Sequence, residues 1–409
     1  MRGRPVIDGR LRAADVWPDP HPTFATLRRD APVWRLGDDE AYLVSTWALV
    51  AEAVSRVQDF SNHFRYSLVT RRDGSLAALE TGGAGPDVFA GADPPAHTAH
   101  RRMFSPLLAP GEVEALGPYV ARLADELLDA LLVDRHCDAA VALCHPLPTR
   151  VMAERVIGFR DADTATLRQW VAAGSRLGGG LLSLEEMAAG RDDVADMAPW
   201  MAAQLDRALK ARAAEGLLGA TALAVGAGTL THDQAVFNLM VLLGAGAETT
   251  SSLIGISLAV LAGDPQLQAD LRARPHRVPA FIEEVLRFDA PFRYHPRTAS
   301  RPCTLGGADI PKGSLVLLLW ASANRDPAVF TDPDTFVVDR PNAALHFGFG
   351  RGTHHCVGAA LARLESRVVV EKMLARTEQF ALDPSALEQW HPSIWVHGHD
   401  HLPLVVEPR

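Results

Sequence analysis

The sequence predicts a mainly α chain with small β regions, and three stretches carry that prediction. From Val236 to Leu261 the chain is almost uninterruptedly apolar, longer than the ~18 residues that mark a membrane span or a central core helix. Residues 111–215 repeat apolar positions at helical spacing, as in Val120 to Leu128. Short alternating runs, Ala31–Leu36 and Ala41–Ser45, sit instead near the N-terminus. The expected architecture is a single large helical body with a smaller N-terminal β region. The 409 residues, 48% of them hydrophobic, contain no linker or composition break, so one domain over 1–409 is expected.

Charge and cysteine usage narrow the function classes. Lys and Arg total 40 against 49 Asp and Glu, a formal charge of −9, which argues against a nucleic-acid surface. Cys137, Cys144, Cys303 and Cys356 show no disulfide spacing, and Met1–Val6 carry no apolar signal or anchor. A reducing, cytoplasmic setting without a membrane anchor is expected. The long apolar run fits that setting as a core helix. Glu248 lies at its middle, Asp233 and Asp264 bound it, and no Lys or Arg stands close to either end.

Taken in order, Ala31–Leu36 and Ala41–Ser45 read as a hairpin turning at Asp38-Asp39, followed by a helix from Trp47 to about Gln58. Residues 60–92 are Gly-rich and read as a long loop, functional or disordered. Asp93-Pro94-Pro95 starts a helix on which His97 and Arg101, four apart, share a face. The helical region breaks at 174–182, where Gly178-Gly179-Gly180 suggest a lid or a merely permissive loop. The apolar helix carries Gly244-Ala245-Gly246-Ala247-Glu248-Thr249-Thr250, where a buried acid is costly unless it is used or paired. Phe281–Arg287 forms a helix placing Glu284 and Arg287 one turn apart. Pro291–Arg297 is extended, which would alternate Arg293, His295 and Arg297 onto one face. A hairpin at Gly306-Gly307, a strand over Ser314–Leu319 and a β-rich tail complete the pattern.

One loop, Phe349-Gly350-Arg351-Gly352-Thr353-His354-His355-Cys356-Val357-Gly358, precedes a helix beginning at Ala359. A cysteine near a helix N-terminus meets free N–H groups and the positive end of the macrodipole, both of which favour thiolate. Such a sulfur could be a small buried hydrophobe, a nucleophile with a distant histidine base, or a metal ligand. Zinc would need convergent partners, and adjacent His354, His355 and Cys356 do not converge.

The loop resembles the haem-binding segment of the cytochromes P-450, F-G-x-G-x-H-x-C-x-G, at every fixed position. Four further motifs follow in the family's order: D-P-P-x-H-x-x-x-R at Asp93–Arg101, A-G-x-[D/E]-T at Ala245–Thr249, E-x-x-R at Glu284–Arg287, and Arg297-Thr298-Ala299. The resemblance runs from about residue 17 to the C-terminus and implies the cytochrome P-450 fold. It implies haem b held by Cys356 as axial iron ligand, with Phe349 and Gly358 shaping the loop. His97, Arg101, Arg297 and His354 would bind the propionates. Glu248 and Thr249 would relay protons to bound oxygen, and Glu284, Arg287 and Arg340 would form a structural ion cluster. The implied activity is insertion of one oxygen atom from O2 into a lipophilic small molecule of the steroid, terpenoid, fatty acid or polyketide class.

Pocket candidates are Gly244, Ala245, Arg293, Tyr294, Ile394 and Trp395, with Arg293 a possible anchor for a substrate carboxylate. No flavin or nicotinamide segment is evident, so electrons would come from a ferredoxin and a separate ferredoxin reductase. Arg351, Arg363 and Arg367 offer a local basic patch for that donor. Two other functions fit parts of the pattern. A peroxide-driven peroxygenase has less need of Glu248-Thr249, and a haem sensor or carrier leaves the buried acid unexplained.

Overall fold

The computed structural model describes residues 11–17, 19–37, 40–63, 65–80, 88–211 and 215–409. The expected turn residues Asp38 and Asp39, and Phe64, lie outside them. The apolar run forms the 31-residue helix His232–Ala262, opened by a capping box between Thr231 and Gln234. By length and composition this helix could cross a membrane, but 67% of its most apolar window is buried inside the protein. Its neighbours explain why. Helices Thr164–Gly178, Met197–Ala211, Gly216–Gly226 and Ala359–Arg376 pack around it, and one hydrophobic core runs through them from Phe89 to Val406. A helix that is apolar all round needs partners on every side, and this one has them.

The hairpin near the N-terminus forms as Val33–Arg35 paired with Ala41–Val44, Val33 opposite Val44. Its sheet is completed from much later in the chain. Leu315–Leu318 pairs in parallel with Ala41–Val44, His295–Ala299 pairs on the other side, and Phe60–Ser61 closes the edge. The small β region is therefore shared between the two ends of the sequence. Alternation along the strands sends Ala41, Leu43, Leu315 and Leu317 into one core with Phe24 and Leu27. It sends Tyr42, Val44, Val316 and Leu318 into another with Phe60 and Phe347. Each buried Leu or Val contributes about 2 kcal/mol, and Phe347 fastens the cysteine loop's approach to the second core.

Two expectations need correction. Residues 60–92 are not one loop: Tyr66–Thr70 and Leu76–Glu80 form a hairpin, with Leu68 and Leu76 in the core beneath the sheet and Val69 and Ala77 buried on the opposite face. The missed signal is Asp73-Gly74, a hairpin turn with Gly74 at φ 81°. Helices dominate 111–215 as expected, interrupted by one short strand, His136–Asp138, against Pro403–Pro408. The break at 174–182 begins only after Gly178. There the glycines permit close approach: a Cβ on Gly178 would stand 3.0 Å from the Trp395 ring, and one on Gly180 2.9 Å from Ile394. Gly179 O accepts from Ile394 N at 2.8 Å and Gly180 O from the Thr70 hydroxyl at 2.9 Å. This turn is tied on two sides.

Candidate active site

A cavity lies between the central helix and the cysteine loop, lined by Ala245, Gly246, Thr249 and Leu253 on one side and by Phe349, His354, Cys356 and Gly358 on the other. The loop is shaped by Gly350 and Gly352, both at positive φ (62° and 68°). Gly350 N–H donates to Phe347 O at 2.7 Å, and Cys356 N–H to Phe349 O at 2.8 Å. The helix begins three residues after the cysteine, with Gly358 as N-cap. Burial pushes the Cys356 thiol up, against the pull of the Gly358 N–H and the Arg101 and Arg363 charges. The expected helix-end help is present, but desolvation outweighs it in the free protein.

At one edge of the cavity gather His97, His354, Arg101 and Arg297, with the His97 and His354 rings 4.1 Å apart. His97 Nδ1 and His354 Nε2 are buried and have no hydrogen-bond partner among the described residues. Burial and then its cationic neighbours lower His354 to about 3. Arg297 is lowered to about 10 by burial, with only Asp93 opposing. Donors crowded and unanswered in this way form a receptor for anionic groups, and two carboxylates would relieve them. Haem, with two propionates and an iron that takes a thiolate, fits this donor set. Arg101 also braces the loop, donating to His355 O at 2.9 Å. Arg297 donates to Pro296 O at 2.8 Å and stands 2.6 Å from His295 Nδ1.

The central helix supplies Thr249, whose hydroxyl donates to Ala245 O at 2.7 Å, the four-back bond that bends helices. A Cβ on Gly246 would stand 2.6 Å from Met152 Sδ, so a larger residue there would displace the Met152 side chain. Glu248 is buried and turned away from the cavity, with His391 Nε2 3.0 Å from its Oε1. Behind the loop, Glu284 takes two bonds from Arg287, at 2.7 and 2.8 Å, and two from Arg340, at 3.1 and 3.2 Å. The remaining guanidinium donors of both arginines reach the carbonyls of Asn324, Thr331, Pro333 and Thr335. All three side chains are buried, so the cluster holds the segment before the loop.

Of the pocket candidates, only Ala245 lines this cavity. Gly244 is displaced one position around the helix, and Gly246 takes its place. Arg293 is buried on the far side, its Nη2 2.8 Å from His397 Nδ1, while His397 Nε2 stands 3.0 Å from Asp289. It precedes the strand that starts at His295, so the alternation expected of 293–297 covers only His295 and Arg297. Tyr294 and Ile394 belong to the core beneath the sheet, and Trp395 packs against it behind Phe292, ring centroids 5.2 Å apart. Sequence reasoning missed Asn62, Phe292 and Trp320, which do line the cavity. Trp320 directly follows the expected strand Ser314–Leu319, and no local pattern marks it.

Cavity, sulfur and the surrounding histidines and arginines fit haem with a thiolate ligand, and comparison with known proteins points to the same class. The sequence model of the family described as Cytochrome P450 matches residues 202–392. Cytochrome P450 144 of Mycobacterium tuberculosis is 36% identical over 391 residues, covering 95% of this chain and 89% of its own. Cytochrome P450 monooxygenase PikC of Streptomyces venezuelae is 32% identical over 409 residues, covering 98% and 94%. The structure of CYP109Q5 from Chondromyces apiculatus superposes with a TM-score of 0.81 at 29% identity over 97% of each chain. The chain belongs to the cytochrome P450 family and is a monooxygenase oxidoreductase, a class that uses haem iron, O2, a redox partner and lipophilic substrates.

Proposed function

We propose that this chain, as one cytoplasmic domain, inserts an oxygen atom from O2 into a lipophilic small molecule, using haem b and electrons from a ferredoxin and its reductase. The observation that carries the reading is one cavity onto which Cys356 and Thr249 both open, with Phe89, Val241, Leu242, Leu286 and Phe292 in its lining. An apolar lining binds apolar ligands by burial and places few polar constraints on them. The steroid, terpenoid, fatty acid and polyketide classes all suit it. Two relatives agree in kind: Beta-dihydromenaquinone-9 omega-hydroxylase of Mycobacterium tuberculosis, 32% identical, and CYP109E1 of Bacillus megaterium, solved with testosterone.

Haem bound at Cys356 supplies the oxygen-activating chemistry. The chain's own residues do the rest. His97, His354, Arg101 and Arg297 fix the propionate edge, the apolar wall holds substrate, and Thr249 and Glu248 serve as hydroxyl and acid for proton delivery. A panel drawn from the four lipophilic classes should yield a ligand that shifts the haem spectrum and is oxygenated with O2, ferredoxin and reductase. Thr249→Ala and Glu248→Gln should each lower product formed per electron about tenfold, with hydrogen peroxide taking its place. Product formation with peroxide but none with O2 and electrons would instead establish a peroxygenase.

The redox face is less exposed to a partner than its sequence suggests. Arg363 is held by Glu283 at 2.6 and 3.0 Å, Arg367 stands 3.6 Å from Glu371, and Arg351 lies over the Trp47 and Phe347 rings. Arg363 and Arg367 remain half-exposed. Reversing both to glutamate should slow haem reduction by an acidic ferredoxin about tenfold at low salt, with the difference shrinking as salt rises. An unchanged rate in stopped-flow reduction would remove this face as the docking site.

A further inference from the structure

Glu248 lies next to Thr249 on the central helix, yet its carboxylate points to the C-terminal hairpin of Gln389–Trp390 and His399–His401. Between those strands His391, 3% exposed, spans two acids. Its Nε2 stands 3.0 Å from Glu248 Oε1, placed for ion pairing more than for a linear hydrogen bond, and its Nδ1 2.5 Å from Asp400 Oδ1. Asp400 reaches water, its side chain 37% exposed, whereas Glu248 is 8% exposed. The three residues form a line from solvent to the helix position beside the cavity.

The ring is held in place by its backbone: His391 N–H donates to Gly398 O, and its carbonyl accepts from the Trp17 indole at 3.1 Å. The two carboxylates raise His391 to about 10 against the opposing effect of burial, and the ring holds Asp400 below its usual range. Other groups face the cluster from neighbouring elements. His145 precedes the helix Pro146–Arg150 and is lowered by burial, Arg168 projects from Thr164–Gly178 as a fixed positive charge, and His401 lies beyond Asp400. None of these replaces His391 as the cation between the acids. Buried ion clusters seldom repay their desolvation, so fastening the tail alone is a weak reason for this one.

We propose that His391 is a positioning residue for Glu248, and that Asp400 connects the pair to bulk water as a proton supply for the acid–hydroxyl site. The proposal rests on Glu248 acting as the acid beside Thr249. The Glu248 carboxylate takes the Nε2 proton of His391 and, turning from the hairpin, passes it towards Thr249; the neutral ring is recharged from water at the Asp400 side. One proton enters from solvent for each that leaves, and only N–H and O–H bonds change.

The test uses the haem-loaded protein reduced by a ferredoxin and its reductase, without substrate, in light and heavy water from pH 6 to 9. His391→Gln and Asp400→Asn should bind haem and keep the parent spectrum with CO. Oxygen consumption should slow about tenfold, with a larger solvent isotope effect and a flattened pH profile. Nitrogen NMR of 15N-histidine in the reduced CO complex should show one ring doubly protonated at pH 8 in the parent and not in Asp400→Asn. Parent-like rates, isotope effects and pH profiles in both variants, with Glu248→Gln slowed, would overturn this inference and leave the reading of Glu248 standing. An unaffected Glu248→Gln would end both. If His391→Gln does not fold, Asp400→Asn at the partly exposed end decides alone. Failure of both to load haem would mark the cluster as structural and overturn the proposal.

Discussion

Replacing Cys356 with serine is expected to remove the thiolate signature from the spectrum of the reduced CO complex. It should also lower oxygenation by at least about 1,000-fold, or ~4 kcal/mol of barrier. Serine keeps the size and the loop hydrogen bonds, since Cys356 N–H bonds to Phe349 O through the backbone alone. What it cannot supply is an electron-rich sulfur. A hydroxyl is a far weaker ligand at neutral pH, and the nearby Gly358 N–H and the Arg101 and Arg363 charges do not close that gap. Haem content measured beside the spectrum separates lost ligation from lost binding. An unchanged band with CO would show that the ligand is another residue.

The second large effect is expected away from the chemistry. Glu284→Gln should destabilise the protein by about 3–5 kcal/mol, because two buried guanidiniums would then face an uncharged amide. Arg287 is wholly buried and Arg340 nearly so, and neither can turn to water. The variant should unfold at clearly lower urea concentration, and haem retention should fall with it. The cluster holds Val337 through its N–H to Glu284 and the carbonyls around Thr335, which hold the segment leading to the loop. A midpoint within error of the parent would show that the arginines are compensated by carbonyls alone.

Elements whose signal is local were legible in the sequence. The central helix, the glycine turn at 306–307 and the cysteine loop each declare themselves through residue types that only one backbone path satisfies. The histidines and arginines gathered at the cavity edge were singled out for a different reason: they sit in short patterns whose order along the chain identifies a family. What stayed hidden depends on which way a side chain turns after distant segments meet. Arg293 looked like a pocket residue because it precedes Arg297 by four. Its burial against His397 and Val16 follows from a tail and an N-terminal segment that no local pattern ties to it. Glu248 was visible as a costly acid, but its partner lies 143 positions later in a hairpin with little periodicity. Phe292, three residues before a strand, and Trp320, which opens the short helix Trp320–Ala323 after another, line the cavity from positions that strand alternation does not reach.

The sheet behind the site has a consequence for how the protein is made. Ala41–Val44 waits for Leu315–Leu318, and the hairpin that covers Glu248 is built from residues 389–401. Contacts so distant in sequence form late and slowly. Cys356, the histidines and arginines at the cavity edge and the hairpin that closes over the central helix therefore come together only after residues 389–401 have been made. Haem capture at the proposed site would therefore wait for the hairpin of residues 389–401.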